Sequence, residues 1–133
     1  MEILPFVSIG DLRFGESRQD VRKHLGTKYQ VFRKDVGANE TDAYDELGLH
    51  LYYDNDDKLE YVETFTPAAP TFKGVAMLGR HSEDVQEDLA RAGHTCSVMD
   101  DVSINCGSAG IALYSPDEMV EGVGVYRKGY FDA

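Results

Sequence analysis

The chain has 133 residues, 42% of them apolar, and a formal net charge of −11. A chain of that length buries roughly two-thirds of its unfolded surface in one compact body, and the ordinary apolar share excludes wholesale disorder. Acids outnumber bases 14 to 8 over residues 1–66 and 10 to 5 over residues 67–133, a field that repels nucleic acid and anionic membrane and draws basic partners from a distance.

Residues 1–9 are mostly apolar, with Phe6, Val7 and Ile9, and read as an extended run into Gly10. They hold an acid and a proline and no basic cluster, so no signal peptide is expected, and no apolar stretch is long enough to span a bilayer. Ser17, with Asp20 three positions on, predicts a helix N-terminus; Val21 and Leu25 form its buried stripe and Gly26 its stop. Tyr29–Lys34 changes to a strand pattern, and Asp35–Glu46 reads as a polar, turn-rich loop. Gly48–Asp54 alternates, with Leu49, Leu51 and Tyr53 on one side and His50 and Tyr52 on the other. Asn55-Asp56-Asp57 turns the chain, Leu59–Phe65 returns as a third strand, and Pro67–Pro70 ends the unit.

The second half follows the same order. Gly10, Phe14, Gly15, Asp20, Val21 and Leu25 fall on Gly74, Leu78, Gly79, Asp84, Val85 and Leu89 at a constant offset of 64. Ser82 opens the second helix and Gly93 closes it; His94–Met99 and Val102–Cys106 are candidate strand pieces. Gly110–Tyr114 repeats Gly48–Tyr52 at an offset of 62, and Val120–Arg127 repeats the third strand before Gly129–Ala133 ends the chain. A repeat of this period governs the fold. The expectation is an α+β protein of two tandem units, residues 1–66 and 67–133, each a helix and a three-stranded antiparallel meander. One helix cannot cover a sheet alone, so the copies are expected to share one continuous sheet with the helices on one face. Cys96 and Cys106 have neither redox-motif nor zinc-ligand spacing. Two reduced structural thiols are favoured over a bridge, which would need the Cα atoms within about 7 Å.

The helix pattern Gly15, Ser17, Asp20, Val21, Leu25, Gly26, echoed by Gly79, Asp84, Val85, Leu89 and Gly93 and followed by a meander, resembles the repeat of the beta-lactamase inhibitory protein family. It is similar also to the unit found singly in small outer-membrane assembly lipoproteins. The resemblance covers almost the whole chain and implies a tandem-repeat fold whose sheet face binds protein. The chain departs from both families in having no signal peptide pattern, no lipid-anchor cysteine and no tryptophan, which counts against an outer-membrane role and against inhibition of an exported lactamase.

Motifs for chemistry are scarce. Asp54–Lys58 begins like a calcium loop, but Lys58, Leu59 and Phe65 stand where a ligand, the glycine and the bidentate glutamate belong. The histidines at 24, 50, 81 and 94 lack metal-ligand spacing, no Gly-x-Ser-x-Gly occurs, and Gly122-Val123-Gly124 lies within a strand where a phosphate loop would open a helix. No catalytic residue, metal or cofactor is expected, and the chain is expected not to be an enzyme. If Leu49, Leu51, Ile111 and Leu113 face the helices, the opposite face carries His50, Tyr52, Tyr61, Glu63, Phe65, Tyr114 and Tyr126. Aromatic anchors inside a charged rim are the usual makeup of a protein-binding patch. Ten acids and one base lie between Asp35 and Glu63. The expected function is an acidic, cytoplasmic inhibitor, an immunity-type protein that blocks a basic toxin or enzyme by occlusion. Tyr52, Tyr61, Tyr114 and Tyr126 would anchor it, with Asp54, Asp56, Asp57 and Glu60 steering the encounter. The alternative is an assembly module that self-associates through the same face, so that either a monomer or a homodimer is compatible.

Overall fold

The computed structural model describes residues 1–131; Asp132 and Ala133, the end of the expected C-terminal segment and of the second unit, lie outside the described residues. The N-terminal segment folds back on itself. Strands β1 (Ile3–Leu4), β2 (Ser8–Ile9) and β3 (Leu12–Arg13) form a small antiparallel sheet. The single extended run expected for residues 1–9 is thereby corrected. Pro5 lacks the N–H a longer strand would need, and the chain reverses there through Phe6 at φ 64°.

Helix α1 (Arg18–Leu25) begins where the capping pattern put it, with Asp20 N donating to Ser17 Oγ at 3.1 Å, and Gly26 ends it. Strands β4 (Gln30–Arg33), β5 (Glu40–Tyr44), β6 (Leu49–Tyr53) and β7 (Leu59–Thr64) follow. After Pro70 come the two-stranded pair β8 (Thr71–Phe72) and β9 (Val75–Ala76), then helix α2 (Ser82–Arg91). Its N-cap is His81, whose Nδ1 accepts from Glu83 N at 3.2 Å; Ser82, expected to open the helix, is its first residue. Strands β10 (Ser97–Val98), β11 (Ser103–Cys106), β12 (Ile111–Tyr114) and β13 (Gly122–Tyr126) complete the chain.

The architecture is α+β with two α-helices and mostly antiparallel sheets. Eight strands form one sheet in the order β10-β11-β12-β13-β7-β6-β5-β4. The expected division into three-stranded meanders does not hold, because the residues read as a polar loop from Asp35 to Glu46 contain β5. Its inward positions are Asp42 and Tyr44, and Asp42 hides the apolar alternation that would have marked a strand. Asp42 is fully buried because α1 meets it with two guanidinium groups: Arg18 Nη1 at 2.9 Å, and Arg22 Nε and Nη2 at 2.8 Å each. Arg18 also lies over the Tyr53 ring at 4.1 Å and Arg22 over Tyr29 at 4.3 Å. The carboxylate and a hydrogen bond together push the Arg22 pKa still further up.

One core holds the molecule together. Leu49, Leu51, Val62, Ile111, Leu113, Val123 and Val125 of the sheet are buried with Val21 of α1 and with Val85 and Leu89 of α2. At the middle of the sheet β7 pairs with β13, Val62 opposite Val125 and Tyr61 opposite Tyr126. Cys96 and Cys106 are joined in a disulfide, Cα atoms 4.1 Å apart, which corrects the favoured reading of two free thiols. The ten-residue spacing allowed it because the β10–β11 hairpin returns the chain to within bridging distance.

Candidate functional site

The period of two that sends Leu51, Val62 and Val125 into the core sends Tyr52, Tyr61 and Tyr126 to the other side of the sheet. Strand register makes them a row, Tyr52 opposite Tyr61 and Tyr61 opposite Tyr126. Tyr52 meets Tyr61 edge to face with centroids 5.6 Å apart, and Tyr61 stacks beside Tyr126 at 6.0 Å with planes 12° apart. A second cluster crosses the same face. His50 sits between the rings of Phe32 at 5.4 Å and Phe65 at 4.9 Å, with its Nε2 2.8 Å from Asp45 Oδ1.

Tyr61 can lie flat because β13 offers no side chain beneath it. A Cβ on Gly124 would overlap the Tyr61 hydroxyl and ring, and one on Gly122 would come within 2.5 Å of Glu63 Oε1. The Gly122-Val123-Gly124 step is therefore a bare track on which two side chains of the neighbouring strand rest, a common reason for glycine inside a strand. Glu63 occupies the space between the two aromatic groups, opposite His50 on one side and Gly124 on the other. Burial pushes its carboxyl pKa up to about 7, against the opposing pull of the Tyr61 hydroxyl and the Lys34 ammonium. Burial likewise raises Tyr52 to about 12 and Tyr61 further, with the Glu63 charge adding to both.

The expected site residues divide into three groups. His50, Tyr52, Tyr61, Glu63 and Phe65 are brought together on the face, all partly exposed. Tyr126 is on that face but only 3% exposed. Tyr130 and Phe131 lie against it at 5.8 and 4.7 Å, Phe6 at 6.2 Å, and its hydroxyl donates to Asn105 Oδ1 at 2.7 Å. Tyr114 is 45% exposed and stands apart, beyond Gly122. The charges are the third group. Asp54 Oδ1 accepts from the backbone of Asp56 and Lys58, Asp57 is bonded to Arg18 at 2.8 Å, and Glu60 faces Arg127 at 3.4 Å. Asp56 alone of the four is exposed and engaged only through its backbone.

Sequence reading missed Phe32, Lys34, Thr41, Tyr130 and Phe131 at this face. Phe32 and Lys34 keep the alternation of β4, so the pattern was present, but β5 had to be recognised before β4 could be assigned to this sheet. That the C-terminal segment covers the outward aromatics is an alternative the sequence leaves open, and Tyr130 and Phe131 do lie against Tyr61 and Tyr126.

Comparison with protein-family models, with curated proteins and with solved structures returned no match. The reading of the face therefore rests on its own geometry. Among the described residues no group of three or more His, Cys, Asp or Glu is placed to hold a metal ion, and no helix is long and apolar enough to cross a membrane. What the arrangement offers chemically is a set of flat rings and two half-buried carboxylates, Glu60 and Glu63.

Proposed function

We propose that this chain is an acidic inhibitor of the immunity type, binding a basic toxin or enzyme through the sheet face opposite its core. The observation that carries this reading is the partly exposed aromatic row beside a half-buried glutamate on a molecule of net charge −11. Tyr52, Tyr61 and Tyr114 are the surface anchors; Tyr126, nearly buried, stacks beside Tyr61 and steadies it. Steering falls to the overall field and to exposed acids such as Asp56, because Asp54, Asp57 and Glu60 are engaged within the chain.

The resemblance to the beta-lactamase inhibitory protein repeat belongs to the same proposal. Both stretches of helix and meander are then copies of one unit, residues 1–66 and 67–133. The matching left-handed glycines support this: Gly15 and Gly79 before the helices, and Gly48 and Gly110 after short 3-10 turns. The cytoplasmic location expected of an immunity protein now carries a condition. Cys96 and Cys106 must be reduced there, and a bridged pair in protein taken directly from cells moves the inhibitor to an oxidising compartment.

The test is capture of partners from the native lysate by the wild-type chain and by the Tyr52→Ala, Tyr114→Ala double variant, at low and high salt. One stoichiometric basic protein, lost at high salt and lost with the double variant, is the expected result. Capture that ignores both salt and the tyrosines overturns the reading. Self-association is favoured by a different observation, the solvent-facing edge strand β4, on which Val31 is 45% and Phe32 36% exposed. Sedimentation as a stable homodimer with no captured partner selects that alternative.

A further inference from the structure

The aromatic face is not flat. A cavity of about 140 Å³ opens between Tyr52, Tyr61, Tyr130 and Glu63, and a second of about 150 Å³ adjoins it along Lys34, Tyr52 and Tyr130. Lys34 borders both chambers. It follows the last residue of β4, and its Nζ sits 5.3 Å from the centre of the Tyr52 ring. An exposed ammonium group of the chain itself thus stands at the rim of the cleft, beside π-faces that attract cations and near a carboxylate that burial has deprived of water. The second chamber holds another unmet group. Thr41 is 1% exposed and lines that chamber, and its hydroxyl oxygen has no hydrogen-bond partner among the described residues. Glu60, freed from the strand pairing by the irregularity at Tyr52 and Tyr53, adds a carboxylate to the same wall.

Rings on several sides, carboxylates at the base and an acceptor without a donor describe a receptor for a hydrogen-bonding cation. We propose that this cleft receives one lysine or arginine side chain of the partner protein, held between Tyr52, Tyr61 and Tyr130 against Glu63, and that Lys34 stands at its mouth as a competing cation until the partner displaces it. The proposal deepens the reading given above and rests on it for the partner, but not for the chemistry of the pocket. Lys34 makes the free protein less receptive than the pocket alone would be, so stray ammonium groups compete poorly. A partner that docks over the whole aromatic face supplies the additional contacts needed to move it. The groups facing Glu63 are Lys34 from the end of β4, His50 and Tyr52 from β6, Tyr61 on its own strand and Tyr130 from the C-terminal segment, while β13 presents only Gly122 and Gly124. With the carboxyl titrating at about 7, uptake of a cation strengthens as pH rises through neutrality.

The pocket can be tested without the partner. The probes are n-butylammonium and n-butylguanidinium, mimics of the two basic side chains, with n-butanol as the neutral control, titrated into the full chain and followed by NMR of the tyrosine rings. Saturable shifts are expected at Tyr52, Tyr61 and Tyr130 with both cations and none with butanol. Replacing the exposed rim cation, Lys34→Met, should tighten cation binding at least about fivefold, and adding Glu63→Gln to that variant should weaken it about tenfold. Both variants keep side-chain size, and circular dichroism verifies that they fold. Binding unchanged by Lys34→Met, shifts that map elsewhere, or equal shifts with butanol would each overturn the proposal. Such a failure removes the pocket and leaves partner capture untouched; failed capture with an intact cation site removes the partner reading instead.

Discussion

Adding one methyl group at Gly124 tests whether the aromatic row is held as described. Gly124 has no left-handed backbone and sits inside a strand, where Gly→Ala ordinarily stabilises by about 0.5–1 kcal/mol through the entropy of the unfolded chain. Here the new Cβ would overlap the Tyr61 ring and hydroxyl. Tyr61 would have to lift off β13, giving up its stack on Tyr126 and its contact with Glu63. Overpacking of this kind costs about 1–3 kcal/mol, and losing an aromatic pair adds about 0.5–1.5 kcal/mol, so a net destabilisation of about 2 kcal/mol is expected. In a domain of this size that lowers Tm by roughly 6–10 °C, readable by calorimetry. The decisive measurement is the same substitution in a Tyr61→Ala background, where the obstacle is gone. There Gly124→Ala should be neutral or stabilising, so the sign reverses with the partner residue. Equal destabilisation in both backgrounds would refute the argument that Tyr61 is what glycine accommodates.

Other outcomes follow from the same geometry. Glu63→Gln should stabilise the protein by about 2 kcal/mol at pH 8 and leave it unchanged near pH 4.5. The folded carboxyl, raised to about 7, binds its proton more tightly than the unfolded one, so wild-type stability falls as pH rises between those values; parallel pH profiles for both proteins in urea would contradict this. Asp42→Ala takes from Arg22 its carboxylate partner and from Arg18 its buried one, leaving Arg18 with Asp57, and should cost about 3–5 kcal/mol in chemical denaturation, with a loss under 1 kcal/mol showing that water replaces the carboxylate. Reducing the Cys96–Cys106 bridge, which closes a short loop, should cost about 2–3 kcal/mol. An unchanged Tm after verified reduction, or two alkylatable thiols in the native protein, would count against the bridge.

Elements that fold by local rules were legible in the sequence. Ser17 caps its helix because the side chain meets an N–H three residues on, and the alternation of Leu49, Leu51 and Tyr53 is enough to orient β6. β5 was lost for a tertiary reason: Asp42 is an inward residue only because α1 brings two arginines to it, and a window of sequence around Asp42 contains neither. The N-terminal hairpins were lost because runs of two residues are too short to show a period. At the candidate site, the outward phase of Tyr52, Tyr61 and Glu63 was readable from strand alternation. That Tyr126 is roofed by Tyr130, and that Lys34 stands over Tyr52, depends on chain packing that no spacing encodes.

The pairing of β7 with β13 has a kinetic consequence. Every other pairing in the large sheet joins strands consecutive along the chain, so each half can form through short loops. Within that sheet the central joint brings together residues about 60 positions apart, as with Val62 and Val125. Loop-closure entropy is concentrated in that single step, which sets the folding rate if it precedes the barrier and the unfolding rate if it follows. Val125→Ala separates the two cases, since it slows folding in the first and speeds unfolding in the second. A sheet continuous in space thus has one seam whose closing the chain cannot shorten by local loops.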